Sequence, residues 1–193
     1  MGRMAHFNNE QFVDAALKIA AAQGPAAVTI AAVAGEVGAP VGSVYHRFLS
    51  RDVLLAEAWL KVIAEFQEAF IELLEKDEGL EAALHTPRWV RTHPAGSRII
   101  LLYRREELVD GEWPDGLKDR AARIKRRLDD GIRGYAVRAF GMDGRNAVHR
   151  IIFALIDVPY AAVLRYIRQG KKPPGEVDSY IRQTYSAIMG REK

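Results

Sequence analysis

Apolar residues recur at spacings of three and four along almost the whole chain, and this periodicity limits the fold more than any other feature. Phe12, Ala16 and Ile19 follow it near the N-terminus, and such spacing places side chains on one buried face of a helix. No stretch alternates apolar and polar residues as a half-buried strand does. The chain has 193 residues, which is enough to bury a core of its own. The sequence therefore predicts an all-α protein of about nine helices.

Glycine, proline and capping residues predict where these helices begin and end. Gly24 and Pro25 end the first helix, and Asn8 or Asn9 caps its start. Thr29 caps a short second helix that Gly38 closes, and a third begins at Pro40. Ser50 then caps a long helix that runs to about Lys76. Five further helices are predicted at residues 79–91, 94–109, 114–139, 143–169 and 174–189.

Several classes of protein are excluded or disfavoured. The chain has no cysteine, which removes disulfides, thiolate metal sites and cysteine nucleophiles. Its five histidines match no zinc-protease spacing, and no nucleophile elbow, P-loop or dinucleotide fingerprint is present. His85 and His93 are eight residues apart and form at most a weak metal pair. We therefore expect no enzyme activity, no cofactor and no metal.

The sequence also predicts a soluble, cytoplasmic protein with no membrane segment. Residues 1–10 lack the apolar stretch of a secretory signal. The longest apolar run, residues 151–164, is interrupted by Asp157 and Pro159 and is shorter than the roughly 18 residues of a spanning helix.

The positive charge does not lie where a DNA-binding segment is predicted. The chain has 28 basic and 25 acidic residues, a net charge of +3. Residues 1–52 hold four of each and are neutral, so the excess lies further along. A basic run at residues 118–127 is either a solvated helix face or a site for an anionic effector or DNA.

Residues 8–48 have the helix lengths and the short glycine-containing turn, at residues 38–40, of a helix-turn-helix unit. Within residues 29–54 a threonine opens the second helix, and Gly-x-x-Tyr-x-x-Phe at 42–48 is followed by Ser-Arg-Asp-x-Leu. With these features, about residues 8–56 resemble the TetR (tetracycline-repressor-like) family of bacterial transcription regulators. Many positions agree at fixed spacing, whereas the rest of the chain resembles the family only in architecture.

The resemblance implies eight DNA-binding residues. Thr29, Tyr45, His46 and Arg51 would contact phosphates, and a half-buried core position is the alternative for Tyr45. Pro40, Val41 and Ser43 would face base edges, with Gly42 allowing close approach. The family commonly has serine or threonine at the Pro40 position, so the chain departs from the pattern there. Arg3 either reaches the DNA or belongs to a frayed terminus.

The resemblance further implies a DNA-binding domain at residues 1–50 and an effector-binding and dimerisation domain at residues 51–193. Each candidate pocket residue is alternatively plain core. Asp157 either meets a cationic ligand group, bonds amides freed by Pro159, or pairs with an arginine. The candidate effector-binding residues are Phe66, Phe70, Trp89, Ile99, Leu102, Tyr103, Leu128, Tyr135, Phe153, Asp157 and Tyr160.

The last two predicted helices carry more apolar residues than a monomer's outer helices need, which predicts a homodimer through them. A two-fold dimer would place its recognition helices roughly 34–36 Å apart on a palindromic operator. The apolar residues in question are Ile151, Ile152, Leu155, Val158, Ala162, Val163, Tyr180, Ile181, Tyr185, Ile188 and Met189.

The function implied is a ligand-responsive DNA-binding transcriptional regulator, a repressor released from its operator when a small molecule binds the C-terminal domain. The alternative is a helical small-molecule-binding or protein-interaction module with weak or lost DNA binding. The neutral charge of residues 1–52 and the Pro40-Val41 pair favour that alternative.

Overall fold

A computed structural model describes residues 7–103 and 113–190. Within these residues the chain forms nine α-helices and no strand, so the predicted fold class is confirmed. The helices are α1 (Asn9–Gln23), α2 (Ile30–Val37), α3 (Val41–Tyr45), α4 (Arg51–Glu75), α5 (Gly79–Thr92), α6 (Pro94–Leu102), α7 (Asp115–Phe140), α8 (Arg145–Arg168) and α9 (Glu176–Met189).

The N-terminal helices begin and end where their capping residues predict. Asn8 and Gln11 form a reciprocal capping box at α1, and Thr29 accepts the backbone N–H of Ala32 at 3.0 Å. Ser50 accepts the N–H of Val53 at 3.2 Å at the start of α4. Gly38 ends α2 with φ of 73°, a left-handed conformation that favours glycine.

Two helices of the C-terminal half differ from the prediction. Helix α6 ends at Leu102, where Tyr103 turns extended, rather than at residue 109; positions 104–109 lie outside the described residues. Helix α8 contains a π-helical turn at Phe153–Asp157. Pro159 explains the irregularity, because it has no N–H to donate to the carbonyl of Leu155 and so disturbs the regular ladder.

Two apolar clusters hold the helices together, and α4 and α6 contribute to both. The N-terminal cluster joins α1–α3 to the first half of α4 and to Ile99 of α6. The C-terminal cluster joins the second half of α4 to α5, α7, α8 and α9, with Leu101 and Leu102 of α6 packed against it. A displacement of α4 or α6 therefore affects both halves of the molecule.

Helix α8 is the one helix among the described residues that is long and apolar enough to cross a membrane. Only a third of its most apolar window is buried within the chain. Length and composition are weak evidence for a membrane span, and a helix covered by a second protein chain has the same properties.

Candidate DNA interface and effector site

Helices α2 and α3 meet at a tight turn that presents one face of α3 to solvent. The N–H of Ala39 bonds the carbonyl of Ala34 at 2.9 Å. Val44 and Phe48 are buried in the N-terminal cluster, whereas Val41 and Tyr45 on the opposite face are 45% and 58% exposed. The inner face of α3 thus fixes the helix, and the outer face remains available.

Most of the predicted DNA-binding residues lie on this exposed surface. Thr29, Pro40, Val41, Gly42, Tyr45 and His46 are exposed, and Ser43 is partly exposed. The exposure of Tyr45 removes the core position that the sequence left open for it. Their contact with DNA remains a prediction, since no nucleic acid is present.

Arg51 differs from the prediction of a phosphate contact. Its Nε donates to the carbonyl of Val28 and its Nη2 to that of Pro25, both at 2.6 Å. Its Nη1 also bonds Asp52 at 3.0 Å. The side chain is therefore engaged in fixing the start of α4 to the turn before α2, and a phosphate would have to displace these bonds.

We refer to the described residues up to 50, which include α1–α3, as the head, and to the rest of the described chain as the body. Arg47 lies in the head, and the sequence did not indicate its role. Its Nη1 donates to the carbonyl of Ser43 at 2.8 Å and its Nη2 to the carbonyl of Phe7 at 2.7 Å. Its guanidinium also lies 5.6 Å from the ring centroid of Phe12. The bond to Phe7 fixes the segment that precedes α1 against α3. Separated by forty residues, this pair leaves no local sequence signal.

Lys61 connects the head to the long helix α4. Its Nζ bonds Asp14 at 2.6 Å and Glu10 at 3.1 Å, both on α1. Burial opposes the charge of Lys61, but the hydrogen bonds to the two carboxylates outweigh it and raise its pKa. These contacts tie α4 to α1.

An apolar cavity of about 190 Å³ lies among α4, α5, α6, α7 and α8. We refer to it as the apolar cavity. Among its polar groups, Gln67 has a buried Oε1 with no hydrogen-bond partner. The lining residues are Ile63, Phe66, Gln67, Phe70, Thr86, Leu101, Leu128, Leu155, Ile156 and Tyr160.

Four of the predicted effector residues line this cavity: Phe66, Phe70, Leu128 and Tyr160. These four residues lie on three separate helices. Core and cavity positions share the same apolar pattern, so the sequence could not separate cavity residues from core residues. A lone glutamine between Phe66 and Phe70 was a usable signal. The six lining residues that the sequence analysis did not select as effector contacts are Ile63, Gln67, Thr86, Leu101, Leu155 and Ile156.

The remaining predicted effector residues lie elsewhere. Ile99 and Tyr103 pack in or against the N-terminal cluster, and Leu102 packs against the C-terminal cluster. Tyr135 is buried and its hydroxyl is 3.2 Å from that of Tyr185; burial and this bond raise its pKa.

Phe153 and Asp157 require a correction, because both are exposed on an outer face of α8. The side chain of Asp157 makes no hydrogen bond or ion pair with any described residue. The sequence led us to expect a buried carboxylate here, but the carboxylate of Asp157 is exposed. It therefore needs neither the amides at the Pro159 irregularity nor an arginine as a partner.

An aromatic layer lies behind the apolar cavity. Trp89 packs edge-on against Phe66, with ring centroids 5.5 Å apart, and stacks on His93 at 3.8 Å. His85 packs against Phe66 and its Nε2 lies 2.9 Å from the carbonyl of that residue. Burial lowers the pKa of His85 despite this bond. Within the described residues no group of three or more metal-ligating side chains exists.

Much of the basic run on α7 is paired within the chain. Arg120 bonds Glu57 at 2.7 Å, and Arg127 bonds Glu68 and Glu75 at 3.0 and 2.8 Å. These pairs connect α7 to α4. They favour the solvated helix face over a site for an anionic ligand.

The last two helices expose part of their predicted apolar surface. Tyr180, which was predicted for the interface, is 63% exposed. Phe153 and Tyr160, which were predicted for the effector site, are 53% and 37% exposed on the same pair of helices. Four other residues predicted for the interface are instead buried in the chain's own C-terminal cluster: Ile151, Leu155, Val163 and Ile181.

A helix-turn-helix head joined through a long helix to a helical body with an apolar cavity is an architecture of DNA-binding regulators. Comparison with known proteins agrees: residues 12–58 match the family of bacterial regulatory proteins described as the tetR family. The match covers most of the head and the start of α4, and the described residues share the fold of solved TetR-family regulators.

Solved structures with this fold cover nearly the whole chain at low identity. A putative TetR-family regulator from Shewanella sp. PV-4 is 19% identical with a TM-score of 0.68, over 95% of this chain and 96% of that one. The regulator FadR from Bacillus subtilis, solved with stearoyl-CoA, is 15% identical with a TM-score of 0.67, over 96% and 100%. The multidrug binding protein EbrR, solved with imidazole, is 18% identical with a TM-score of 0.56, over 97% and 98%. No curated protein matches the chain.

Proposed function

We propose that this protein is a cytoplasmic, dimeric transcriptional repressor that a small molecule releases from a palindromic operator. Residues 1–50 act as the DNA-binding domain and residues 51–193 as the effector-binding and dimerisation domain. No catalytic step, metal or cofactor is part of the proposal.

The observation that carries the proposal is that α4 and α6 each contact both the apolar cavity and the head. Both helices line the apolar cavity, through Phe66 and Leu101 among others, and both pack against α1 of the head. A ligand that binds one arrangement of these helices more tightly than another shifts the population of head positions. Operator affinity then depends on the occupation of the cavity.

The DNA contacts are proposed for the exposed residues of the head. Ser43 is the best candidate for base reading, because it carries a hydroxyl at the start of α3, where recognition helices meet base edges. Thr29, Tyr45 and His46 contact phosphates. We leave Arg51 out of this set because of its bonds to Pro25 and Val28.

The proposed effector is a small, uncharged, mainly apolar molecule that carries one hydrogen-bond donor. The lining of the apolar cavity is almost entirely hydrocarbon, and the unpartnered Oε1 of Gln67 accepts such a donor. A volume of about 190 Å³ is below the roughly 300–1,000 Å³ typical of sites for drug-sized ligands. Ligands as large as the stearoyl-CoA bound by FadR would require the helices to separate.

Dimerisation is proposed through the exposed apolar side chains of α8 and α9. Phe153, Tyr160 and Tyr180 would be covered in a four-helix bundle formed by two copies. Sedimentation of the purified protein tests this directly. A Phe153→Glu variant is expected to shift the protein toward monomer, whereas Met142→Glu, an equally exposed apolar position outside both helices, is the control.

The DNA-binding proposal is tested by fluorescence anisotropy with DNA from upstream of the protein's own gene. We expect a saturable complex that survives excess unrelated DNA. Tyr45→Phe and Ser43→Ala should each weaken it at least severalfold. Met142→Ala changes an exposed side chain between α7 and α8, outside the head and the proposed dimer interface, and should leave the affinity unchanged.

The alternative, a binding module without DNA binding, predicts a different result. It requires that no upstream fragment forms a competitor-resistant complex, and that Tyr45→Phe behaves like Met142→Ala. The exposed face of α3, on a helix-turn-helix unit whose first two helices are capped, favours the regulator over this alternative.

The effector proposal is tested by thermal-shift screening of small phenols, alcohols and amides, because a ligand that binds only the folded state raises its melting temperature. A hit should lose most of its effect in Gln67→Leu and should lower operator affinity of the unmodified protein. Hits that act equally on Gln67→Leu would contradict the role of Gln67.

A further inference from the structure

A second cavity lies outside the proposed effector site. It occupies about 120 Å³ between the end of α5, the first half of α6 and the turn that follows α8. We call it the basic cavity. Among the residues around it, Ser97 and Arg98 come from α6, and Lys171 and Lys172 come from the turn.

Two buried polar atoms of this cavity have no hydrogen-bond partner. Ser97 is fully buried, and its Oγ is unpartnered. The Nε of Arg98, one residue further along α6, is also buried and unpartnered. Buried donors without acceptors are unfavourable, and native proteins usually satisfy them with a protein group, water or a ligand. Both atoms can donate to the same kind of group, an acceptor inside the cavity.

The charge around the cavity is uncompensated. Arg98, Lys171 and Lys172 lie beside it, and none of its lining residues is acidic. Among the described residues no carboxylate lies within ion-pair distance of these three cations. The contrast with nearby Arg91 is informative, because its guanidinium forms two hydrogen bonds with Asp178.

The turn after α8 holds its two lysines in a defined conformation. Gly170 adopts φ of +67°, and the N–H of Lys171 bonds the carbonyl of Tyr166 at 2.8 Å. A side chain at Gly170 would reach to 4.0 Å from an Nη atom of Arg98, so the guanidinium lies close to the turn. Three cationic residues from two separate elements therefore line one small cavity.

The remaining wall is apolar and restricts the kind of anion. Val90, Pro94 and Ile167 line the cavity, and Val90 and Ile167 are 3% exposed. A fully hydrated inorganic ion would lose water against these groups without compensation. A carboxylate on a short hydrocarbon chain matches both the cationic wall and the apolar wall of the cavity. Its oxygens would face Ser97 and the cations, and its hydrocarbon chain would face the apolar residues.

We propose that the basic cavity binds a small aliphatic carboxylate, as a second ligand site distinct from the apolar cavity. The site is connected to the head through α6. Ile99, which follows Arg98, is 1% exposed within the N-terminal cluster, and α6 packs against α1. A bound carboxylate would thus fix the helix that also lines the apolar cavity.

The experiment uses the full chain and sodium butyrate as the probe, at ionic strength held constant with sodium chloride. Calorimetry and thermal denaturation are expected to show saturable binding and a raised melting temperature. Butyramide, which has the same size without the charge, should have no effect. Inorganic phosphate should bind at least tenfold more weakly than butyrate.

Two sets of variants locate the site. Ser97→Ala should weaken butyrate binding at least fivefold, while its melting temperature without ligand stays the same or rises, because an unpartnered hydroxyl has been removed. Lys171→Gln with Lys172→Gln, two exposed positions, should weaken binding at least tenfold. Lys125→Gln removes one charge on the distant α7 and should bind butyrate normally.

Absence of saturable butyrate binding would overturn the proposal, as would equal binding of butyramide or preferential binding of phosphate. Retention of full affinity in the double lysine variant would also overturn it. None of these measurements uses DNA or the apolar cavity. A failure here is therefore distinguishable from a failure of the proposed repressor function.

Discussion

The head and the body of this protein differ in whether their buried polar side-chain atoms have hydrogen-bond partners. In residues 7–50 no buried side-chain polar atom lacks a partner, whereas residues 51–103 and 113–190 contain five: Trp59 Nε1, Gln67 Oε1, Trp89 Nε1, Ser97 Oγ and Arg98 Nε. Three of the five belong to residues that line a cavity. The described part of the head thus has no unpartnered buried side-chain donor or acceptor. The body has such atoms on residues that line the two cavities where ligands are proposed.

The largest expected effect on stability comes from removing a buried aromatic side chain from the core of the head. Phe12 is fully buried and packs against Phe48, with centroids 6.3 Å apart, and beneath Arg47. We expect Phe12→Ala to lower the free energy of unfolding by about 3–5 kcal/mol, because it leaves a cavity in the core. Urea denaturation measures the change. Phe12→Leu should be much milder, and equal effects of the two variants would contradict a packing role.

A close backbone approach in the body gives the next largest effect. A Cβ at Gly79 would lie 1.9 Å from the hydroxyl of Tyr135 and 2.6 Å from that of Tyr185. Gly79→Ala should therefore cost about 1–3 kcal/mol through overpacking. Chemical denaturation of Gly79→Ala with and without Tyr135→Phe tests the cause. The second change should recover part of the loss, and strictly additive losses would rule out this contact.

The comparison is sharpest where one polar group is removed from each region. Thr29→Ala removes the cap of α2 and should lower the free energy of unfolding by about 1 kcal/mol. Gln67→Leu removes an unpartnered acceptor and should raise it by about 1 kcal/mol when no ligand is present. Urea titrations of both variants supply the two values. Destabilisation by Gln67→Leu would mean that Oε1 is already bonded in the free protein.

The smallest expected effect is a dependence of stability on pH through the aromatic layer. Burial holds the pKa of His85 below its ordinary value of 6.5. The unfolded chain then binds the proton more readily than the folded one, so this contribution is present above pH 6.5 and is lost as the pH falls below it. Melting temperatures of the parent and of His85→Gln between pH 7.5 and 5 should diverge, with the parent losing more. Parallel curves would exclude His85 as the cause.

The same contrast explains which features were predictable from sequence. Capping residues act over three or four positions, so Asn8, Thr29, Ser50 and Gly38 predicted the helix boundaries of the head correctly. The apolar cavity brings together five helices, and its lining shares an apolar pattern with ordinary core. The pattern therefore included Phe66 and Phe70 but could not separate them from Tyr135, which packs elsewhere.

Long-range polar contacts were beyond the sequence for a related reason. Arg51 has the position of a DNA-contacting residue in the family pattern, but its bonds depend on carbonyls more than twenty residues away. Asp157 looked buried because its neighbours in the chain are apolar. Its exposure follows from the packing of α8, which only the folded chain defines.

The occupied cations of the head have a consequence for how the protein finds its target. Lys18 is paired with Glu36, Arg47 bonds two carbonyls and Arg51 bonds two more. Bonds to carbonyls leave an arginine charged but engage its donors, and residues 1–52 have no net charge. Because charge supplies nearly all of the affinity for random DNA, we expect such a head to bind DNA outside its operator weakly. The proposed regulator would then find its site mainly by repeated collision from solution rather than by sliding.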